Sequence, residues 1–251
     1  MKESTPKIRV RGASKTFLRG DQRVEALAPV DLEVRAGEFV CLLGPSGCGK
    51  STLMNLIGGF EAPSGGSIEI DGLPVAGPDP RRVFVFQEYG IFPWASVWDN
   101  IALGLRDLPK AEQERIVAQH IELVGLKGFE RSFPDQLSGG MRQRVAVARA
   151  LAVSPDIVYM DEPLGALDSL TRLQLRGEIH RLWKRGGMTI LFVTHDVEEA
   201  LQLADRIVVM SPRPGRIQEI VEVGMPHPRT SATPGWVEKE SHLLRLLGVG
   251  G

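Results

Sequence analysis

Short, uniformly apolar runs recur along the chain, bounded by glycine or proline and separated by longer segments whose apolar residues fall at helical spacing. Five of them, Phe39 to Leu43, Val83 to Phe86, Ile157 to Met160, Thr189 to Val193 and Arg206 to Met210, are strand-sized and rich in β-branched residues. Such runs predict strands covered on both faces, as in a parallel sheet. Three earlier segments, Ile8 to Val10, Asp31 to Val34 and Ser67 to Ile70, alternate apolar with polar and predict an antiparallel flank with one wet face. The expected class is α/β with a mainly parallel core sheet, an antiparallel β flank and helices between strands.

From about Tyr89 to Gln136 the strand rhythm stops. Ser96, three residues ahead of Asp99, offers a helix start. Pro109 opens a second helix in which Ile116, Val117, His120, Ile121 and Val124 share a face before Gly125. These features predict a helical insert, about residues 89–153, inside a single domain spanning residues 1–222. The tail from about Pro212 is rich in proline and glycine. It is expected to be loosely packed, with residues 223–251 as a short C-terminal extension.

Composition narrows the choice. Lysine plus arginine number 30 against 31 acids, a net charge of −1, so a protein that coats nucleic acid by charge alone is excluded and no nucleic-acid partner is expected. The share of hydrophobic residues, 43%, suits a globular core. Two cysteines, Cys41 and Cys48, have neither disulfide-framework nor metal-ligand spacing and read as reduced intracellular thiols. No apolar run approaches the roughly 18 residues needed to cross a bilayer. Met1 to Arg11 lacks an apolar signal core, so a cytoplasmic location is expected.

The sharpest chemical signal is Gly44-Pro45-Ser46-Gly47-Cys48-Gly49-Lys50-Ser51-Thr52, which follows an apolar strand and runs into a helical segment. It fits the phosphate-loop pattern in its required context. Glycines let backbone N–H groups converge on phosphate oxygens, the helix start adds positive partial charge, Lys50 neutralises β and γ charge, and Ser51 offers a hydroxyl to Mg²⁺. Asp161 and Glu162 follow the strand Ile157 to Met160, at the sheet edge where open α/β folds bind ligands. Asp161 is assigned to the metal and Glu162 to the base that deprotonates water; the bland alternative is a pair of acids capping the next turn. Ser138-Gly139-Gly140 opens another helix and makes a second anion cradle. One nucleotide cannot obviously use both cradles, so the second is expected to close on the nucleotide of another subunit.

Together these segments resemble the nucleotide-binding subunit of ABC transporters, from about Ile8 to Arg216. For matching positions the resemblance implies that Phe17 stacks on adenine, although the residue also suits ordinary core. It implies that Gln87 touches Mg²⁺ and the attacking water and that Ser138, Gly139 and Gly140 meet a nucleotide in trans. Asp168 would link the two sites, and His195 would hold the γ-phosphate. Met141 and Gly165 depart from residues frequent in relatives. Phe92-Pro93-Trp94 and Ser211 to Ile217 are similar to importers of nitrate, alkanesulfonates and taurine. Trp94 and Trp98 then either receive a permease helix or fill a domain junction.

The resemblance implies an ATPase that uses ATP and Mg²⁺, works as a homodimer on the cytoplasmic side of the membrane, and drives a separate permease fed by a substrate-binding protein. A different importer subfamily, or a non-transport member acting in DNA repair or translation, is the alternative. A phosphate-loop kinase or GTPase leaves Ser138 to Gly140, Gln87 and His195 without a role.

Overall fold

A computed structural model describes residues 5–86, 90–165 and 167–249. In chain order its strands and α-helices are β1 (Ile8–Arg19), β2 (Gln22–Val34), β3 (Phe39–Leu43), α1 (Lys50–Gly58), β4 (Gly65–Ile70), β5 (Leu73–Pro74) and β6 (Arg82–Val85). Then follow α2 (Val97–Ala102), α3 (Lys110–Leu123), α4 (Gly139–Ala152), β7 (Ile157–Asp161), α5 (Ser169–Gly186), β8 (Thr189–Thr194), α6 (Val197–Leu203), β9 (Arg206–Met210), β10 (Ile217–Glu222) and α7 (Trp236–Leu246). They form two compact units, one of residues 1–80 with 189–251, the other of residues 81–188.

In the first unit β3 lies between β8 and β9 and pairs parallel with both, while β10 joins the far edge of β9 antiparallel. Every residue of β3, β8 and β9 is buried, which is why these strands read as unbroken apolar runs. A second sheet has the order β2-β1-β4-β5, all antiparallel. Its strands β1 and β2 run for 12 and 13 residues, far beyond the alternating segments that announced them. Register shifts between Val10 and Thr16 break the period-2 pattern, so the continuation was hidden from a strict alternation test.

The tail corrects one expectation. Beyond Pro212 it is well packed: β10 completes the sheet edge, and α7 buries Trp236 and Leu243. Arg229, itself buried, donates from Nε to the Met225 carbonyl at 2.8 Å and from a terminal nitrogen to that of Leu201 at 3.0 Å. That guanidinium satisfies carbonyls at the end of α6 and fastens the tail to the helix after His195.

In the second unit β6 pairs parallel with β7. Ser96 caps α2 by accepting from the Asp99 amide at 3.1 Å, and α3 starts directly after Pro109. The helices share an apolar core that includes Val97, Ile101, Val117, Ile121, Val145 and Ala148. Met141 and Trp98 pack against it.

Candidate functional site

The phosphate loop grows from the buried strand β3. Its first residue, Gly44, is admitted by lack of a side chain: a Cβ there would lie 2.9 Å from both Cys48 Sγ and the Met210 carbonyl oxygen. Gly49 has φ 101°, a conformation that L side chains rarely adopt, and its Cβ would meet the Ala26 carbonyl at 2.9 Å. Gly49 is also the N-cap of α1, where no side chain caps the helix and no acid occupies the first turn. Among the described residues, the amides of Gly49, Lys50 and Ser51 have no acceptor. A helix start with open amides and no competing acid is suited to phosphate.

Lys50 is 4% exposed, and its Nζ donates to the carbonyls of Gly44 at 2.8 Å and Pro45 at 3.0 Å. Pro45, Ser46, Gly47 and Ser51 are exposed at the loop surface, Thr52 is half-buried, and Cys48 is buried. Strand register brings His195 to the same edge: Leu43 pairs with Thr194, so Gly44 and His195 leave adjacent strand ends, and His195 is exposed. Its turn is braced by groups that sequence reading missed. Thr194 Oγ1 donates to the buried Glu199 carboxylate at 2.7 Å, and the Glu199 amide donates to Asp196 at 3.0 Å. Asp196 followed by an acid three residues on is a capping-box spacing, a signal available in the sequence.

Phe17 is half-buried on β1 and pairs with Val24, two residues before the Ala26 that abuts Gly49. Lys15 Nζ lies 5.0 Å from its ring centroid, and the same ammonium is tied to Glu61 at 2.7 Å.

The second unit holds Asp161, Glu162 and the Ser138-Gly139-Gly140 helix start. Strand β7 ends at Asp161, half-buried like Glu162. Glu162 has φ 45°, uncommon for a residue with a side chain, and the turn it begins is closed by the Gly165 amide donating to its carbonyl at 3.2 Å. A Cβ on Gly165 would meet that carbonyl at an ordinary 3.6 Å, so the departure to glycine is not imposed by space. Ser138 caps α4, accepting from the Met141 amide at 3.2 Å. Gly140 faces Leu167, whose methyl would lie 3.1 Å from a Cβ there, so the start of α4 and the residue before Asp168 adjoin. Asp168 caps α5, accepting from the Thr171 amide at 3.0 Å. Hydrogen bonds from the Thr171 side chain and amide hold its carboxyl below the usual range. Gln87 lies outside the described residues.

Trp94 is 75% exposed and leans on Phe92 at 5.2 Å between ring centroids. Elsewhere on this unit a concavity of about 760 Å³ is lined by Ser96, Trp98, Asp99, Glu130 and Arg131 among others. Hydrogen bonds from the Gly128 amide and its own amide lower the Glu130 carboxyl pKa.

A family model described as ABC transporter matches residues 27–165. The chain belongs to the ABC transporter family. It is 46% identical over 220 residues to the nitrate import ATP-binding protein NrtD of Synechococcus elongatus, covering 86% of this chain and 80% of that one. The aliphatic sulfonates import ATP-binding protein SsuB of Bacillus cereus is 40% identical over 244 residues, covering 97% of each. Among solved structures, a dimeric post-hydrolysis ATP-binding cassette bound to ADP and Pi superposes with a TM-score of 0.79 at 32% identity, covering 86% of this chain and 98% of that one. As an ABC cassette the chain is an ATPase that binds ATP and couples its hydrolysis to transport. Among the described residues no helix is long and apolar enough to cross a membrane.

Proposed function

We propose that this ABC ATPase energises import of a small anion such as nitrate, an alkanesulfonate or taurine through a separate permease, working as a homodimer on the cytoplasmic face. The supporting relatives carry nitrate and sulfonate import in their names, and the related cassette structure is dimeric. A substrate-binding protein would deliver the anion to that permease. Exposed Trp94 suits the contact with a permease helix. Residues 1–222 would form one nucleotide-binding domain with a helical insert at about 89–153, followed by the extension 223–251.

The observation that carries the site reading is the phosphate loop: Lys50 buried against Gly44 and Pro45, beside an uncapped helix start. In this reading residues 44–52 hold the phosphates and Phe17 stacks on adenine. Ser51, Asp161 and Gln87 are hard oxygen donors suited to Mg²⁺. When bound, Mg²⁺ neutralises charge on the β and γ oxygens. Glu162 accepts the proton of the attacking water, His195 hydrogen-bonds the γ-phosphate, and Lys50 steadies the developing charge. Ser138, Gly139, Gly140 and Asp168 act in trans on the partner's nucleotide.

The test has two stages. Purified chain should hydrolyse ATP only with Mg²⁺, and Glu162→Gln should dimerise on ATP without turning it over. The permease and binding protein recovered with the chain are then screened for ligand-dependent Tm shifts. Stabilisation of the binding protein by amino acids, sugars or metals alone would overturn anion import, and recovery with ribosomes or DNA would overturn transport.

A further inference from the structure

Gly215 lies in the turn between β9 and β10, and that turn is stitched to β2. The Ala28 amide donates to the Gly215 carbonyl at 3.0 Å, and the Gly215 amide donates to that of Ala26 at 3.1 Å. Its other side faces the phosphate loop: a Cβ on Gly215 would overlap the Cys48 carbonyl oxygen and lie 3.2 Å from the Met210 methyl. Gly215 is buried, and its φ lies outside the left-handed region, so close approach rather than backbone freedom demands glycine here. The neighbours of Gly215 also bound the loop, because Ala26 abuts Gly49 and Met210 abuts Gly44. The turn is closed by Ser211, whose amide donates to the Arg216 carbonyl at 2.9 Å and whose Oγ accepts from the Arg216 amide at 3.1 Å.

The Cys48 carbonyl and the Gly49 amide belong to one rigid peptide plane. A shift imposed on that oxygen rotates the amide at the head of α1, and close-packed interiors pass such shifts on. We propose that Gly215 is a positioning residue for the nucleotide, setting the Cys48–Gly49 peptide so that the amides of Gly49, Lys50 and Ser51 point together at phosphate. This rests on the reading of residues 44–52 as the phosphate loop. No side chain at 215 touches the ligand; the residue acts through the backbone it leaves room for.

The test uses the full chain with Gly215→Ala. Three quantities are measured: KM and kcat for Mg-ATP, the Tm, and the rate at which a thiol reagent modifies Cys48 without nucleotide, located by peptide mass mapping. Cys48 is 1% exposed, so its protection reports on the loop directly. The expected result is a KM raised about tenfold or more, the scale of a misplaced binding group, with kcat changed less and Cys48 modified several-fold faster in a chain that still unfolds cooperatively. Unchanged KM with Cys48 still protected would overturn the proposal. If Gly215→Ala does not fold, Ser211→Ala decides, because it loosens the turn without creating an overlap. It should raise KM and Cys48 reactivity in the same direction, and the absence of both effects overturns the proposal. Should the wild-type chain fail to bind Mg-ATP, the functional reading falls, and thiol protection alone confirms or overturns the control of the loop by Gly215.

Discussion

The ammonium of Lys50 lies 2.8 Å from the carbonyl oxygen of Gly44, the residue that opens its own loop. Pro45 supplies a second carbonyl at 3.0 Å, so a cation that is 4% exposed rests on two neutral dipoles. Dipoles compensate a buried charge only in part, and a phosphate oxygen is the stronger partner because both members of that pair are ionised.

Lys50→Ala should therefore weaken Mg-ATP binding by about 10- to 100-fold, the range of roughly 1.5–3 kcal/mol for a hydrogen bond to a charged group. Calorimetric titration checks it. A variant that binds nucleotide as tightly as wild type would remove Lys50 from the site.

Glu162 combines a half-buried turn position with φ 45°. Glutamine keeps the shape and backbone demand of glutamate but cannot accept a proton. Glu162→Gln is expected to lower turnover by about 10²- to 10⁴-fold, the usual contribution of a positioned base, while leaving the Kd for ATP within a few-fold. Single-turnover assays at saturating ATP separate the two, and equal losses in Kd and turnover would assign Glu162 to binding instead.

Asp168 gives the chain a pH-dependent helix cap. Its folded pKa is depressed by the Thr171 side chain and amide, so the stabilisation is present above the unfolded value of about 4 and is lost as pH falls through the lower folded value. The Tm gap between wild type and Asp168→Ala should be full at pH 7 and shrink below about pH 4. Thermal melts across that range test it. A gap that stays constant into acid would mean the carboxylate charge contributes nothing to the cap.

Trp236 is 1% exposed in α7. Trp236→Ala is expected to cost about 3–5 kcal/mol, as for other buried aromatic truncations. Urea unfolding measures this directly. A loss below about 1 kcal/mol would mean that the tail is dispensable to the core, since that is the scale of an ordinary substitution.

The strands β3, β8 and β9 were legible because burial on both faces leaves no polar position to disguise them. The helix starts at Ser96 and Ser138 were equally local, each a side chain meeting an amide three residues on. The tail was misread because its prolines and glycines signal turns, whereas its order comes from distant partners. Arg229 finds the Leu201 carbonyl 28 residues back, and α7 packs on α6.

From the sequence alone followed the α/β class, the phosphate-loop pattern of residues 44–52, the acids Asp161 and Glu162 at the end of β7 and the Ser138-Gly139-Gly140 start of α4, because each depends on residue types at fixed short spacings. Tertiary structure decided which groups meet. Register puts Leu43 opposite Thr194 and so brings Gly44 and His195 to one edge. Packing presses Gly215 against Cys48, and only the fold could supply that contact, because its two sides are 167 residues apart and nothing in either segment names the other.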